Sequence, residues 1–188
     1  MIKRLVIGIS GSSAPILGIR FLEELHRQAE IETHLVISSS VAKTLQAEAP
    51  DYNIEKLQSL AKFHYGIDQM TAPIASGSFP VDAMAIVPCS MRTLSAVATG
   101  QGDNLLTRAA DVTLKERRPL VVVPRETPLN LAHLRNMVAV TEMGGIILPP
   151  AMAFYHRPTT PLDLVDHCVG KILDVLHIPH QLYRRWKG

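Results

Sequence analysis

The stretch Leu5-Val6-Ile7-Gly8-Ile9-Ser10-Gly11-Ser12-Ser13-Ala14-Pro15-Ile16-Leu17 decides how the rest of the chain is read. Its first five residues are a short continuous apolar run bounded by Ser and Gly, the pattern of a strand buried on both faces rather than half-exposed. The period then changes. Ile16, Leu17, Phe21, Leu22 and Leu25 recur at helical spacing, and Arg20, Glu23, Glu24 and Arg27 fall on the opposite side. Residues 11–15 are therefore a strand-to-helix turn, the junction on which wound α/β folds are built.

The same alternation repeats outward from that turn. Strands are expected at Thr33–Ile37, Ala83–Val87, Leu120–Val123 and Ile146–Leu148, each a continuous apolar run. Helices are expected at about Val41–Ala49, stopped by Pro50, and from Ser90, a suitable N-cap. Further helices are expected from an Asp103 cap to about Arg117, from Pro128 through Met143, and over about Leu162–Leu176. The segment from Asp51 to Pro73 is less regular and reads as one helix around Ile54–Phe63 and then loop. Alternating elements with doubly buried strands predict an α/β, three-layer, doubly wound parallel sheet. Ligands of such folds bind beyond the carboxyl ends of the strands. Residues 10–14, 38–40, 88–93 and 125–126 all fall there.

The composition fits one packed domain over residues 1–188, with 47% apolar and 19% charged residues and aliphatic side chains filling a core that has only 5% aromatics. Nineteen Lys and Arg against seventeen Asp and Glu leave +2, too little to argue for nucleic acid or a membrane surface as a partner. The apolar start ends at Ser10, too short for a signal segment, and the later apolar run 144–154 is broken by Pro149-Pro150, so no membrane span is expected. Two distant cysteines, Cys89 and Cys168, suggest neither a disulfide scaffold nor structural zinc, and fit the cytoplasm.

Three hydroxyl-rich strand ends carry the chemical signal. The turn Gly11-Ser12-Ser13, Ser38, and Ser90-Met91-Arg92-Thr93 offer hydroxyl and N–H donors of the kind that hold a phosphate or a flavin edge. The turn matches neither the dinucleotide-binding glycine pattern nor a Walker loop, and a small-residue turn also serves packing alone. Arg108, Asp111 and Lys115, spaced by three and four, share one helix face, either as a solvated ion-pair stripe or as part of an anion site. Arg125-Glu126 directly after a buried strand favours the second. The eight histidines show no ligand spacing that argues for a metal, and Cys89 reads as a core thiol.

Taken in order, Ser10–Ala14, Ala75-Ser76-Gly77-Ser78, Pro88-Cys89-Ser90, Thr107–Val112, Leu114–Leu120, Pro124–Leu129 and Pro149-Pro150 with Ala153-Phe154-Tyr155-His156 resemble the flavin prenyltransferases, the UbiX family, over nearly the whole chain. The resemblance implies a flavodoxin-like Rossmann domain assembled as a homododecamer. It implies transfer of a dimethylallyl group from a dimethylallyl phosphate to N5 and C6 of reduced FMN, without a metal, and delivery of the product to UbiD-type decarboxylases. It places Gly11, Ser12, Ser13, Ser38, Ser90, Met91, Arg92, Thr93 and Arg125 at FMN, with Ser13 near N5 and Glu48 acting during ring closure. Arg108, Lys115, Arg125, Tyr155 and Lys171 would surround the prenyl phosphate, some of them supplied by a neighbouring subunit, and Glu126 would assist proton transfer. Two departures stand out: Ala14 replaces the glycine common in the turn, and Lys171 replaces a common Arg. Competing readings are a flavin-binding accessory subunit and an FMN-dependent decarboxylase of the phosphopantothenoylcysteine decarboxylase type. The second is disfavoured because Pro88–Thr93 lacks the asparagine of that family's motif.

Overall fold

The structure, a computed structural model, describes residues 4–186. β1 (Arg4–Ile9), α1 (Ile16–His26), β2 (Glu32–Ile37), α2 (Val41–Glu48), α3 (Ile54–Leu60) and β3 (Phe63–Tyr65) form the first half. A 3-10 turn at Pro73–Ala75 leads to β4 (Ala83–Cys89), α4 (Met91–Ala98), α5 (Leu105–Lys115), β5 (Leu120–Pro124), α6 (Leu131–Glu142), β6 (Ile146–Ile147) and α7 (Pro161–Val175). Among the described residues the strands make one sheet, ordered β3-β2-β1-β4-β5-β6, with every neighbouring pair parallel. The winding direction reverses between β1 and β4, which opens a crevice at their carboxyl ends.

The continuous apolar runs are explained by what covers them. Leu5, Ile7 and Ile9 of β1, Ala85 and Val87 of β4, and Val121 and Val123 of β5 face α1, α3 and α7. Val6, Met84, Ile86, Leu120 and Val122 face the opposite layer, α4, α5 and α6. Each large side chain so buried contributes about 1.5–3 kcal/mol, which is why an alternating polar pattern is not tolerated in these strands. Gly18 lets α1 close onto β4, since a Cβ there would stand 2.5 Å from the Val87 carbonyl oxygen.

Four expectations need correction. Residues 63–65 are not helix and loop: α3 ends at Leu60, Ala61 turns extended, and Phe63–Tyr65 pairs with His34–Val36 as an edge strand. Three partly exposed residues carry no periodic signal, and the buried His34 ring is what holds them. It stacks on Phe63 at 5.0 Å and Tyr65 at 5.9 Å, and its Nδ1 lies 2.8 Å from the Tyr65 hydroxyl. Burial pushes the His34 imidazole below its usual range despite the neighbouring Glu32 carboxylate. The cap of α5 is Asn104, not Asp103; its side chain accepts the Thr107 N–H, and the helix stops at Lys115. α6 starts at Leu131 rather than Pro128, because Asn130 and His133 form a reciprocal capping box there. β6 is one residue shorter than expected, although the Leu148 N–H still donates to the Val122 carbonyl at 2.8 Å. The Ser90 cap is as expected, its Oγ accepting from the Thr93 N–H.

Candidate functional site

The turn after β1 is bonded to each strand end around it. Ser10, 1% exposed, donates through Oγ to the Pro88 carbonyl at 3.2 Å and accepts the Ser90 N–H at 2.7 Å. The Gly11 N–H donates to Ser38 Oγ at 3.1 Å, and Ser12 Oγ donates to the Arg125 carbonyl at 2.9 Å. A side chain at Gly11 would collide, since its Cβ would stand 2.0 Å from Ser40 Oγ. Glu48, at the end of α2, reaches across to the same turn: one carboxylate oxygen accepts the Ser13 hydroxyl at 3.0 Å and the Ala14 N–H at 2.8 Å. Ala14 has φ +64°, the left-handed region that favours glycine, so the carboxylate holds a strained residue in place.

Two cavities lie along this rim, and Ala14 of the turn lines one of them. One, of about 570 Å³, lies beyond β2 and β4 and is walled by Ser38, Ser40, Ser90, Arg92, Thr93 and Thr107 beside the start of α5, with Asp68 and Asp103 on its rim. Its chemistry suits a phosphate and a polyhydroxyl chain together: hydroxyls and a guanidinium for the anion, carboxylates as acceptors for sugar-like hydroxyls. Met91 packs against the apolar core beneath α4 and does not line it. The other cavity, about 640 Å³, lies beyond β5 between α1 and α7; Ala14, Leu17, Pro149, Pro150, Met152 and Val165 wall it, and Arg125 and Glu126 are the charged residues in it.

The expected phosphate-binding set is divided within one chain. Arg108 and Lys115 sit on α5, whose apolar side packs on one sheet face, while Lys171 sits on α7, which covers the other. Arg108 is bonded to Asp111 at 2.7 Å and to the Ala75 carbonyl at 3.2 Å, and Lys115 pairs with Glu116. The Ala75–Ser78 motif thus abuts α5, and Arg118 donates to the Gly77 and Phe79 carbonyls. Cys89 is fully buried and burial pushes its thiol above the usual range, which leaves it a core group.

Sequence reasoning missed the group around Tyr155. His167, on α7, places Nε2 2.9 Å from the Tyr155 hydroxyl, and the His156 ring stacks on His167 at 4.9 Å. Both His156 ring nitrogens and His167 Nδ1 are buried without a hydrogen-bond partner. Behind them Asp174 accepts from Tyr183 at 2.5 Å and Arg185 at 2.6 Å, lies 3.1 Å from His180 Nε2, and stands 3.6 Å from Lys171. Burial opposes its ionisation, but these donors hold the Asp174 carboxyl far below the usual range. The only advance signal was the Tyr155-His156 pair; the partners come from α7 and the C-terminal segment, with no common spacing. Among the described residues no group of three or more His, Cys, Asp or Glu converges as a metal site requires, and no helix is long and apolar enough to cross a membrane.

A parallel doubly wound sheet with hydroxyl donors gathered at its switch point defines an α/β protein of the nucleotide-cofactor-binding class, and the family model described as Flavoprotein matches residues 1–186. The chain belongs to the flavin prenyltransferases. It is 48% identical over 186 residues to flavin prenyltransferase LpdB of Lactiplantibacillus plantarum, covering 99% of each chain. It is 50% identical over 188 residues to flavin prenyltransferase UbiX of Neisseria meningitidis, covering 100% of this chain and 98% of that one. Among solved structures, AnUbiX (PadA1) in complex with FMN and dimethylallyl pyrophosphate matches with a TM-score of 0.96 at 44% identity, covering 100% and 99% of the two chains. A dodecameric FMN-dependent UbiX-like decarboxylase from Escherichia coli matches with a TM-score of 0.96 at 43% identity, covering 98% and 100%. The peptidyl-cysteine decarboxylase EpiD, 20% identical with a TM-score of 0.61 over 81% of this chain and 84% of its own, shares the fold alone.

Proposed function

We propose that this chain joins the dimethylallyl group of a dimethylallyl phosphate to N5 and C6 of reduced FMN. One observation carries the reading: a single turn lines an apolar cavity bearing one cation and one carboxylate through Ala14, and is hydrogen-bonded to Ser38 and Ser90 of a hydroxyl-lined cavity. Reduced FMN would supply the nucleophilic positions. Gly11, Ser12, Ser13, Ser38, Ser90, Arg92, Thr93 and Arg125 hold it. Glu48 accepts a hydrogen bond from the Ser13 hydroxyl, so that the flavin edge meets an acceptor of set direction. Breaking the allylic carbon–oxygen bond separates charge, and fixed cations stabilise the departing phosphate far better in a dry pocket than in water. Arg125 serves from the same chain, and Tyr155 and Lys171 approach from the α7 side. Arg108 and Lys115 join them only from a second copy, consistent with their place on the other sheet face. Glu126 moves a proton at the phosphate.

Assembly follows from the same argument. Leu131, Leu134 and Val138 form an exposed stripe on α6, and Met152 and Phe154 are more than 60% exposed, so a homododecamer would cover them. The reaction is read as needing no metal, and the product as serving a UbiD-type decarboxylase in the cytoplasm. The test is incubation with reduced FMN and dimethylallyl monophosphate or diphosphate, followed by mass spectrometry. A flavin heavier by one five-carbon unit is expected with at least one donor; unmodified FMN with both, while a relative run alongside is active, rejects the reading.

A further inference from the structure

We propose that His167 is a positioning residue for Tyr155, its Nε2–H holding the phenol oxygen so that the Tyr155 O–H points outward as a donor. The proposal rests on the reading that puts Tyr155 at the allylic phosphate. Tyr155 lies in a stretch, 148–160, that belongs to no helix or strand. Its ring is set by edge contacts with His156 at 5.6 Å, His167 at 5.5 Å and Trp186 at 5.9 Å. Its hydroxyl is hydrogen-bonded to the same His167 of α7, with Nε2 at 2.9 Å.

Which group donates in that bond follows from the other ring nitrogen. His167 is 6% exposed, and its burial, the stacked His156 ring and Lys171 all disfavour the imidazolium, which only Asp174 favours. The ring is therefore neutral and carries one proton. Nδ1 is buried with no partner, so a proton there would be an orphaned N–H, whereas a proton on Nε2 leaves only an unmatched lone pair, the milder defect. The Nε2 tautomer donates to Tyr155 Oη, so the tyrosine's own proton is free for a second acceptor. A phenol that already accepts one hydrogen bond is a stronger donor, and a phosphate oxygen is the acceptor that gains most from it.

The experiment is calorimetric binding of dimethylallyl monophosphate to the full-length assembled protein loaded with oxidised FMN, so that no transfer intervenes. Tyr155→Phe should weaken binding by about tenfold or more, and His167→Met by about fivefold, with FMN affinity unchanged in both. In a Tyr155→Phe background His167→Met should have no further effect, because it acts through the hydroxyl. His167→Gln, whose amide N–H can occupy the place of Nε2–H, should stay within about threefold of the parent. Unchanged binding in His167→Met, or a loss that persists at full size in the Tyr155→Phe background, overturns the proposal. If His167→Met fails to bind FMN, His167→Gln decides: a loss as large as that of Tyr155→Phe overturns it. Parent-like binding in Tyr155→Phe instead removes the phosphate-site reading of Tyr155, and the proposal with it.

Discussion

Beyond β2 and β4 the rim is walled by serine and threonine hydroxyls, whereas beyond β5 it is walled by proline, leucine and valine, and the turn at 11–14 is bonded to the first and lines the second. On the hydroxyl side the polar groups already have partners in one another: Ser38 with Gly11, and Ser90 with Thr93. Such donors are fixed before any ligand arrives, which lowers the cost of ordering them on binding. On the apolar side Arg125 is half-buried and Glu126 exposed, so their charges act strongly on a reacting group only once a bound ligand or a second copy displaces the water beside them. One side is built to hold and the other to react.

That contrast can be broken by substitution. Glu126→Gln should have the largest effect, lowering prenylation about a hundredfold or more while FMN stays bound; a near-parent rate in single-turnover assays would take the carboxylate out of the reaction. Gly11→Val should act on the holding side, weakening FMN about tenfold or more by fluorescence titration, since even its Cβ would overlap Ser40 Oγ. Adding Ser40→Gly should recover most of that loss, and no recovery would mean that the clash is not the cause. Lys115→Ala should raise KM for dimethylallyl phosphate about fivefold if α5 serves a second copy's reacting side; an unchanged KM returns Lys115 to a surface pair with Glu116.

The smallest effect concerns pH. The N–H groups of Thr159 and Thr160 hold the Asp163 carboxyl at about 2, below its ordinary 3.8, and Asp163 caps the helix whose Leu164 and Val165 line the apolar cavity. A depressed carboxyl stabilises above its unfolded value and loses that contribution as pH falls through the folded one, here from about 4 to about 2. The start of α7 should loosen over that window. Asp163→Asn should flatten the acid limb of the melting temperature there, and an unaltered limb would assign it to other groups.

Much of this was legible from the sequence because it rests on local rules. Leu5–Ile9 and Ala83–Val87 announce buried strands, and Ser90 announces a helix start, since each needs only its neighbours. The hydroxyl side was legible for the same reason: its residues follow directly on strand ends. What escaped depends on distant partners. Phe63–Tyr65 is a strand because it pairs with His34–Val36, and the resemblance that placed Glu48 at the flavin gave no sign that it would bond the Ser13–Ala14 turn. The division of Arg108 and Lys115 from Tyr155 and Lys171 between two sheet faces is set by the winding, which no spacing reveals.

Ser10 laces the two central strands at the one place where their connections diverge. A doubly wound sheet has its crevice there, yet here one buried hydroxyl at the end of β1 ties the carbonyl of Pro88 and the N–H of Ser90 at the end of β4. The irregular stretch 148–160 has no such lacing, and it borders the apolar cavity through Pro149, Pro150 and Met152, so the wall of that cavity rests on loop packing where its floor rests on the sheet.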